Sequence, residues 1–110
     1  MGFLLYGQLR VDFEDRVLAH LQVVIINKLR RRENFSMSWR ESGENGDGRG
    51  ALWIDPSVPL YFRFDGSRSP QIDREWVERL AASSVSTKGL IVTDENGEPV
   101  LGLTHLPPLP

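Results

Sequence analysis

Residues 15–32 read DRVLAHLQVVIINKLRRR, and this stretch decides the fold because it is the longest amphipathic segment of the chain. At about 100° per residue, one side of a helix collects six aliphatic residues within a sector roughly 140° wide. These residues are Val17, Leu18, Leu21, Val24, Ile25 and Leu29. A sector of this width covers a sheet, so the sequence predicts one long helix over Asp15–Arg32. Asp15 is the expected N-cap, and the cations of the last turn complement the helix dipole.

A second apolar stripe consists of Ala19, Val23 and Ile26. It lies on the far side of the helix from the centre of the main sector. A surface helix in a two-layer domain needs only one apolar face, so this stripe indicates a further contact. The contact is either a second copy of the chain, since symmetric dimers are the commonest oligomers, or a loop or tail of the same chain. The run Val23–Ile26 is also β-branched, which leaves a buried strand as a third reading.

The remaining periodicity predicts short strands and one more helix. Apolar and polar residues alternate over 9–13, 35–39 and 60–64, apolar-rich runs occupy 3–6, 51–54 and 90–93, and Gly7-Gln8 fits a tight hairpin turn. A shorter helix begins near Asp73, a second N-cap residue. The predicted class is α+β, a single domain with a mainly antiparallel sheet, one long and one shorter helix packed on one face, and the order ββαβββαβ. The predicted core aromatics are Phe3, Phe13, Phe35, Trp53, Phe62 and Trp76.

The domain is expected to span residues 1–93. Residues 94–110 form either an edge hairpin, turned at Asn96-Gly97 in a type I′ conformation, or a flexible proline-rich tail that frays from Pro107 onward. The segment Ser42–Gly50 holds four glycines and no apolar residue, so it is expected to be an exposed flexible loop.

Composition excludes several classes of protein. The chain has no cysteine, a net charge of −2 and no apolar run long enough to span a membrane. These features favour a cytoplasmic protein without disulfides and argue against a general polyanion binder. The two histidines, His20 and His105, have no thiolate partners, and His20 is expected to be solvated. We therefore predict no catalytic residues, no cofactor and no metal ligands.

Nucleic acid is the main alternative partner. Lys28, Arg30, Arg31, Arg32 and Arg40 can line one edge of the domain, with Trp39 available to stack on a base. Cations at a helix C-terminus also satisfy the dipole, and Trp39 equally fits an inward-facing strand position.

Four stretches carry a resemblance to a known family: GFLLYG, LAHLQVVIINKLRRRENFSMSW, WIDPSVPLYFRFD and IDREWVERLAASS, within residues 2–92. They resemble small actinobacterial proteins of uncharacterised function, many of which are catalogued as ATP-dependent DNA ligases. The resemblance implies an intracellular actinobacterial setting. Ligase adenylation needs the lysine of a K-x-D-G motif, whereas this chain has Arg63-Phe64-Asp65-Gly66.

These observations lead to three hypotheses. The first is a non-enzymatic module acting by protein–protein contact, which self-associates as a homodimer through Ala19, Val23 and Ile26. The second is an accessory protein that binds DNA or RNA through the basic helix end. The third is an enzyme of unknown type.

Overall fold

The computed structural model describes residues 1–44 and 46–107. Seven strands and two helices follow one another: β1 (Gly2–Tyr6), β2 (Leu9–Phe13), α1 (Asp15–Arg30), β3 (Phe35–Glu41), β4 (Arg49–Ile54), β5 (Leu60–Arg63), α2 (Arg74–Ser84), β6 (Leu90–Ile91) and β7 (Leu101–His105). The predicted α+β class and element order are confirmed, with β7 as an additional last strand. The long segment at residues 15–32 is a helix, so the strand reading of Val23–Ile26 is wrong.

The strands form one mixed, mostly antiparallel sheet in the order β4-β3-β7-β2-β1-β5, with β6 paired to β3. Among the strand pairings of the described residues, those of β3 with β6 and with β7 are parallel and the others are antiparallel. Leu101 and Gly102 pair with β3, whereas Leu103 to His105 pair with β2. The last strand therefore joins two halves of the sheet at its centre. It is therefore neither at an edge nor in a flexible tail. The chain does turn back before it, since Thr93 and Pro99 form an antiparallel bridge. The turn is not type I′, because Gly97 has a positive φ and Asn96 does not.

The sheet is strongly curved. The backbone N–H of Asp55, just after β4, donates to the Tyr6 hydroxyl at 2.9 Å, although β1 and β4 are four places apart in the strand order. In a flat sheet that separation would be about 19 Å, more than a tyrosine side chain can span. The concave side of the sheet therefore faces the core, where its inward side chains meet α1 and α2.

Helix α1 buries the predicted sector against this concave side. Five of its six aliphatic residues are fully buried, and Leu29 packs against the core with partial exposure. The helix ends in a Schellman motif: the N–H groups of Arg32 and Glu33 donate to the carbonyls of Leu29 and Lys28, respectively. Arg32 adopts a left-handed conformation with φ 58°.

The N-terminus of α1 differs from the prediction. Glu14 occupies the N-cap position, and no side chain caps the helix there. Asp15 instead accepts the backbone N–H groups of Asp65 (3.0 Å) and Gly66 (2.8 Å). Its carboxylate therefore ties the start of α1 to the segment after β5, because two tertiary donors compete successfully with the helix N–H groups.

The predicted N-cap of α2 is confirmed, since the Asp73 carboxylate accepts from the backbone N–H groups of Glu75 and Trp76. The prediction that His20 is solvated is wrong. Its imidazole is fully buried and stacks on Trp76, with ring centroids 3.9 Å apart. His20 is buried because α1 and α2 pack against each other around its ring.

Two of the six predicted core aromatics are not in the core. Phe13, Phe35 and Trp76 are buried, and Phe62 packs against the core. Trp53 is 58% exposed and Phe3 is half-buried on the convex side. Both positions alternate away from the helices, because Ile54 and Leu4 occupy the inward positions beside them.

The structure describes only part of the two segments that were predicted to be flexible, the loop at residues 42–50 and the tail from Pro107 onward. The loop after β3 closes at Arg49, where β4 begins, and Asn45 within it lies outside the described residues. The frayed tail predicted from Pro107 onward lies outside them from Pro108 to Pro110. Across residues 1–44 and 46–107, neither helix is long and apolar enough to cross a membrane.

Candidate functional site

The proposed self-association stripe lies beside a groove rather than on an open surface. Ala19 is buried within the chain, while Val23 and Ile26 remain half-buried. The groove has a volume of about 370 Å³ and runs between α1 and residues 64–72, where Phe64 and Ile72 line it. The segment after β5 therefore covers part of the stripe and leaves part of it accessible.

The structure does not bring together the six residues of the predicted basic edge. Lys28 is buried, with its ammonium 3.8 Å from Glu33 and 5.8 Å from the Phe35 ring centroid. Trp39 is 3% exposed and packs edge-on against Phe13, so its ring presents no open face for stacking. Arg30, Arg31 and Arg32 are exposed at the end of α1.

Arg40 lies on the other side of the sheet from the core. Trp39 and Glu41, on either side of it in β3, point towards the concave side. Because successive strand residues point to opposite faces, the side chain of Arg40 points to the convex side. We use the name helix-free face for this convex side, defined by the strand residues that alternate away from α1 and α2. The residues of this face that can carry charge near neutral pH are Arg10, Asp12, Arg40, Arg49, Arg63 and His105.

The strand residues of the helix-free face carry a net positive charge, although the protein as a whole is acidic. These strand residues supply four arginines and one carboxylate, a net charge of +3 with His105 neutral, whereas the whole chain carries −2. The face also carries three aromatic residues, Phe3, Trp53 and Tyr61, none of which packs against the core. Positive charge and exposed aromatic surface therefore both lie on the side of the sheet that faces away from the helices.

One half of the face is built by β5, β1, β2 and β7. The rings of Phe3 and Tyr61 lie on adjacent strands with centroids 6.1 Å apart and an interplanar angle of 57°. The Arg10 guanidinium lies over the Phe3 ring, 4.4 Å from its centroid. The aliphatic and aromatic parts of these side chains shield one another, while Tyr61 remains 49% exposed.

Asp12 holds this half of the face in place. Its carboxylate accepts from Arg10 Nε at 2.8 Å, and its other oxygen lies 2.9 Å from His105 Nε2. Burial acts to raise the pKa of Asp12, but the hydrogen bonds from Arg10 and His105 outweigh it and lower the pKa below its usual value. The residue is therefore a structural anion that orients two cationic or polar neighbours.

The other half of the face is built by β3, β4 and β6. Arg40 and Arg49 are paired across β3 and β4, and they line a hollow of about 310 Å³ together with Ser38. Asp47 borders the same hollow and offsets part of its positive charge. Trp53 lies further along β4, opposite Ser36.

A separate cavity of about 620 Å³ opens at the end of the concave side, beside Leu9 and Leu106. At its base the Glu41 carboxylate accepts hydrogen bonds from Trp39 Nε1, at 3.0 Å, and from the Thr104 hydroxyl. These donors hold the carboxylate against buried aromatic surface, where it satisfies the indole N–H of Trp39.

The described residues contain neither a metal-binding cluster nor an orphaned polar group. Within residues 1–44 and 46–107, no three His, Asp or Glu residues come close enough to hold a metal ion. In the same ranges, every buried side-chain nitrogen or oxygen has a hydrogen-bond partner.

The site residues predicted from the sequence overlap with the helix-free face only at Arg40. The aromatic residues of the face occupy alternating strand positions, which can be read from the sequence. In β4, however, apolar residues occur at both the odd and the even positions, so alternation alone does not show which side of the sheet Trp53 takes. Arg10 and Arg63 could have been found by the same alternation in β2 and β5.

Comparisons with known proteins give a family but no activity. No curated protein and no solved structure matches the chain. The pattern of one family, described as "Domain of unknown function (DUF7882)", matches residues 1–95, which include every element except β7. The chain therefore belongs to the family described as Domain of unknown function (DUF7882).

Proposed function

We propose that this protein is a small non-enzymatic module that binds nucleic acid on the helix-free face. The observation that carries the proposal is that four arginines, Arg10, Arg40, Arg49 and Arg63, share the outward side of the sheet in a protein whose overall charge is −2. Arginine binds phosphate through two parallel hydrogen bonds, and phosphate contacts supply most of the sequence-independent affinity for nucleic acid.

A polyanion fits this face better than a second copy of the chain. Two such faces brought together would place +3 against +3, and like charges facing each other across an interface weaken association. A nucleic acid strand supplies the opposite charge instead. The acidic remainder of the surface limits contact with other polyanionic surfaces, which restricts binding to this side.

Ligase activity is not part of the proposal, although similar actinobacterial proteins are catalogued as ATP-dependent DNA ligases. Arg63 stands where the K-x-D-G motif needs its nucleophilic lysine, and a guanidinium stays protonated near neutral pH. Of the two lysines in the chain, Lys28 is buried against Phe35 and Glu33. Binding in a cytoplasmic, actinobacterial setting is the function that we propose.

The salt dependence of binding tests the proposal. Affinity for a labelled oligonucleotide, measured by fluorescence anisotropy, should fall as salt rises, with a log–log slope of about −0.7 per phosphate contact on a single strand. Replacing Arg49 and Arg63 with Ala should flatten that slope by about 1.4. The matched control replaces Arg30 and Arg32 with Ala, which removes the same charge from the helix end and should leave the slope unchanged.

Two outcomes would overturn the proposal. The first is an absence of binding at low salt. The second is a slope that responds to the helix-end pair but not to the pair on the helix-free face, which would restore the basic edge at the end of α1 as the contact surface.

Self-association through α1 is a second candidate, favoured by the groove beside the second apolar stripe. Val23 and Ile26 are half-buried, and Ile72 at the groove is 45% exposed, so a partner could bury apolar surface there. Light scattering coupled to size exclusion should show a dimer that Ile26→Asp converts to a monomer. Val85→Asp is the control, because Val85 is 77% exposed at the end of α2, outside the groove. A wild-type monomer at high concentration would overturn this candidate.

A further inference from the structure

Resting on the proposed function, we infer that the ligand of the helix-free face is single-stranded nucleic acid, whose unpaired bases stack on Tyr61 and Trp53. The inference concerns the class of nucleic acid, and it comes from the aromatic residues of the face rather than from its charge. Stacking on aromatic rings tolerates any base sequence, because every base has a π-face.

The first stacking position is the exposed ring of Tyr61. Its neighbour Phe3 lies 6.1 Å away on the adjacent strand, and the Arg10 guanidinium covers Phe3 at 4.4 Å. Phe3 is thus covered by Arg10 and Tyr61, whereas Tyr61 itself remains 49% exposed to solvent. Arg63 lies two residues further along β5, on the same side, where it can meet a phosphate.

The second stacking position is Trp53, on the other half of the sheet. It is 58% exposed, whereas the two other tryptophans, Trp39 and Trp76, are 3% and 2% exposed. Arg49 lies on the same strand and the same side, four residues away. Each half of the face therefore combines one exposed aromatic ring with an arginine on the same strand.

A duplex does not match this arrangement. Its bases are stacked on one another and reached only through the grooves, which a protein enters with a protruding helix, ribbon or arm. The two rings lie instead on the surface of a convex sheet, which offers stacking surface without such a protrusion. Unpaired bases can turn outward and lie on these rings, as in other sheet surfaces that bind single-stranded RNA.

Tryptophan fluorescence provides the direct test. Titration of the full chain with an oligothymidylate should quench the emission of Trp53, since the other two tryptophans are shielded in the core. Trp53→Phe should abolish the quenching and keep the binding seen by anisotropy, because an aromatic ring that can stack is retained. A blunt duplex of equal length should bind about tenfold or more weakly at the same salt concentration.

Substitutions at Tyr61 separate stacking from folding. Tyr61→Ala should weaken binding of the single strand by about tenfold, whereas Tyr61→Phe, which keeps the ring, should bind within about twofold of the wild type. Val85→Ala should have no effect, since Val85 is the C-cap of α2 and is not part of the helix-free face. Urea unfolding of each variant shows whether the fold is intact.

The two proposals fail in different ways. Equal affinity for duplex and single strand without quenching of Trp53 would overturn this inference, while a salt slope that still depends on Arg49 and Arg63 would keep the proposed function. Binding of neither nucleic acid at low salt would overturn both and leave a protein as the partner.

Discussion

The backbone N–H of Asp73 donates a hydrogen bond to Nε2 of His20 at 2.8 Å, across 53 residues of sequence. A backbone N–H can only donate, so Nε2 is the unprotonated nitrogen. Nδ1 then carries the proton and donates to the Arg16 carbonyl at 2.7 Å. One neutral imidazole thus joins α1 to the N-cap residue of α2 while its ring stacks on Trp76.

We predict that His20→Ala lowers the free energy of unfolding by about 2–4 kcal/mol. The substitution leaves a cavity against Trp76 and a buried N–H at Asp73 without its acceptor. Urea denaturation measures the change. His105→Ala is the control, because the other histidine is exposed, and it should cost about 1 kcal/mol or less. Equal losses in the two variants would contradict the role given to His20.

The Asp15 carboxylate should make stability depend on pH in the acidic range. Hydrogen bonds from the backbone of Asp65, then of Gly66, lower its pKa below the ordinary 3.8. Because the folded-state pKa is the lower one, the contribution of Asp15 is complete well above pH 3.8. It is lost as the pH falls through that value towards the folded-state pKa.

Asp15→Asn tests this dependence, since an amide has only one oxygen to accept from two backbone donors. The variant should be about 1 kcal/mol less stable than the wild type at neutral pH, and the difference should shrink as the pH falls below 3.8. Thermal unfolding at a series of pH values measures both. Glu14→Gln, at the adjacent N-cap position where no side chain caps the helix, should change little at any pH. A difference between Asp15→Asn and wild type that grows on acidification would refute the prediction.

Gly102 should not tolerate a side chain. A Cβ built there would lie 2.8 Å from both Phe13 and Trp39, at the point where β7 changes partner between β2 and β3. Both neighbours are buried rings that cannot move aside, so Gly102→Ala should cost about 1–3 kcal/mol in urea denaturation. Gly48→Ala serves as the control, since a Cβ there meets no atom within 4 Å, and it should change stability by no more than about 0.5 kcal/mol.

Arg32→Gly should stabilise the protein. Arg32 occupies the left-handed position after α1, with φ 58°, where a side chain is strained and glycine is favoured. The relief exceeds the extra chain entropy of glycine, which gives a net gain of about 0.5–1 kcal/mol. Arg30→Gly, in the last turn of the helix, should lose about 1 kcal/mol instead. A loss of stability in Arg32→Gly would show that its side chain makes contacts that outweigh the strain.

Periodicity predicted the elements well because each has one buried side. The sector from Val17 to Leu29 and the alternation in β2 and β3 both record which side meets the core. The same rule could have identified the burial of Lys28, which follows Val24 by four residues and Leu21 by seven and so lies within the apolar sector. Because lysine is charged, position 28 was expected at the surface. In the structure, the Glu33 carboxylate and the Phe35 ring lie near its ammonium group.

The candidate site was less predictable, because it depends on long-range pairing. Nothing local to residues 101–105 shows that they pair with both β2 and β3, and the last strand was therefore expected at an edge. The curvature of the sheet likewise depends on contacts such as that between Tyr6 and Asp55, which are 49 residues apart. Without these pairings, Arg10, Trp53 and Tyr61 cannot be assigned to one surface.

The central position of β7 sets the order in which the chain can fold during synthesis. Hairpin β1–β2 and helix α1 can form while the ribosome is still translating, since their contacts are local. The two half-sheets cannot join until residues 101–105 have emerged, because β7 is the strand of the described residues that pairs with both β2 and β3. Until β7 is made, the edge of β2 and the part of the β3 edge that β6 does not cover offer unpaired backbone to other chains, which exposes the nascent protein to aggregation.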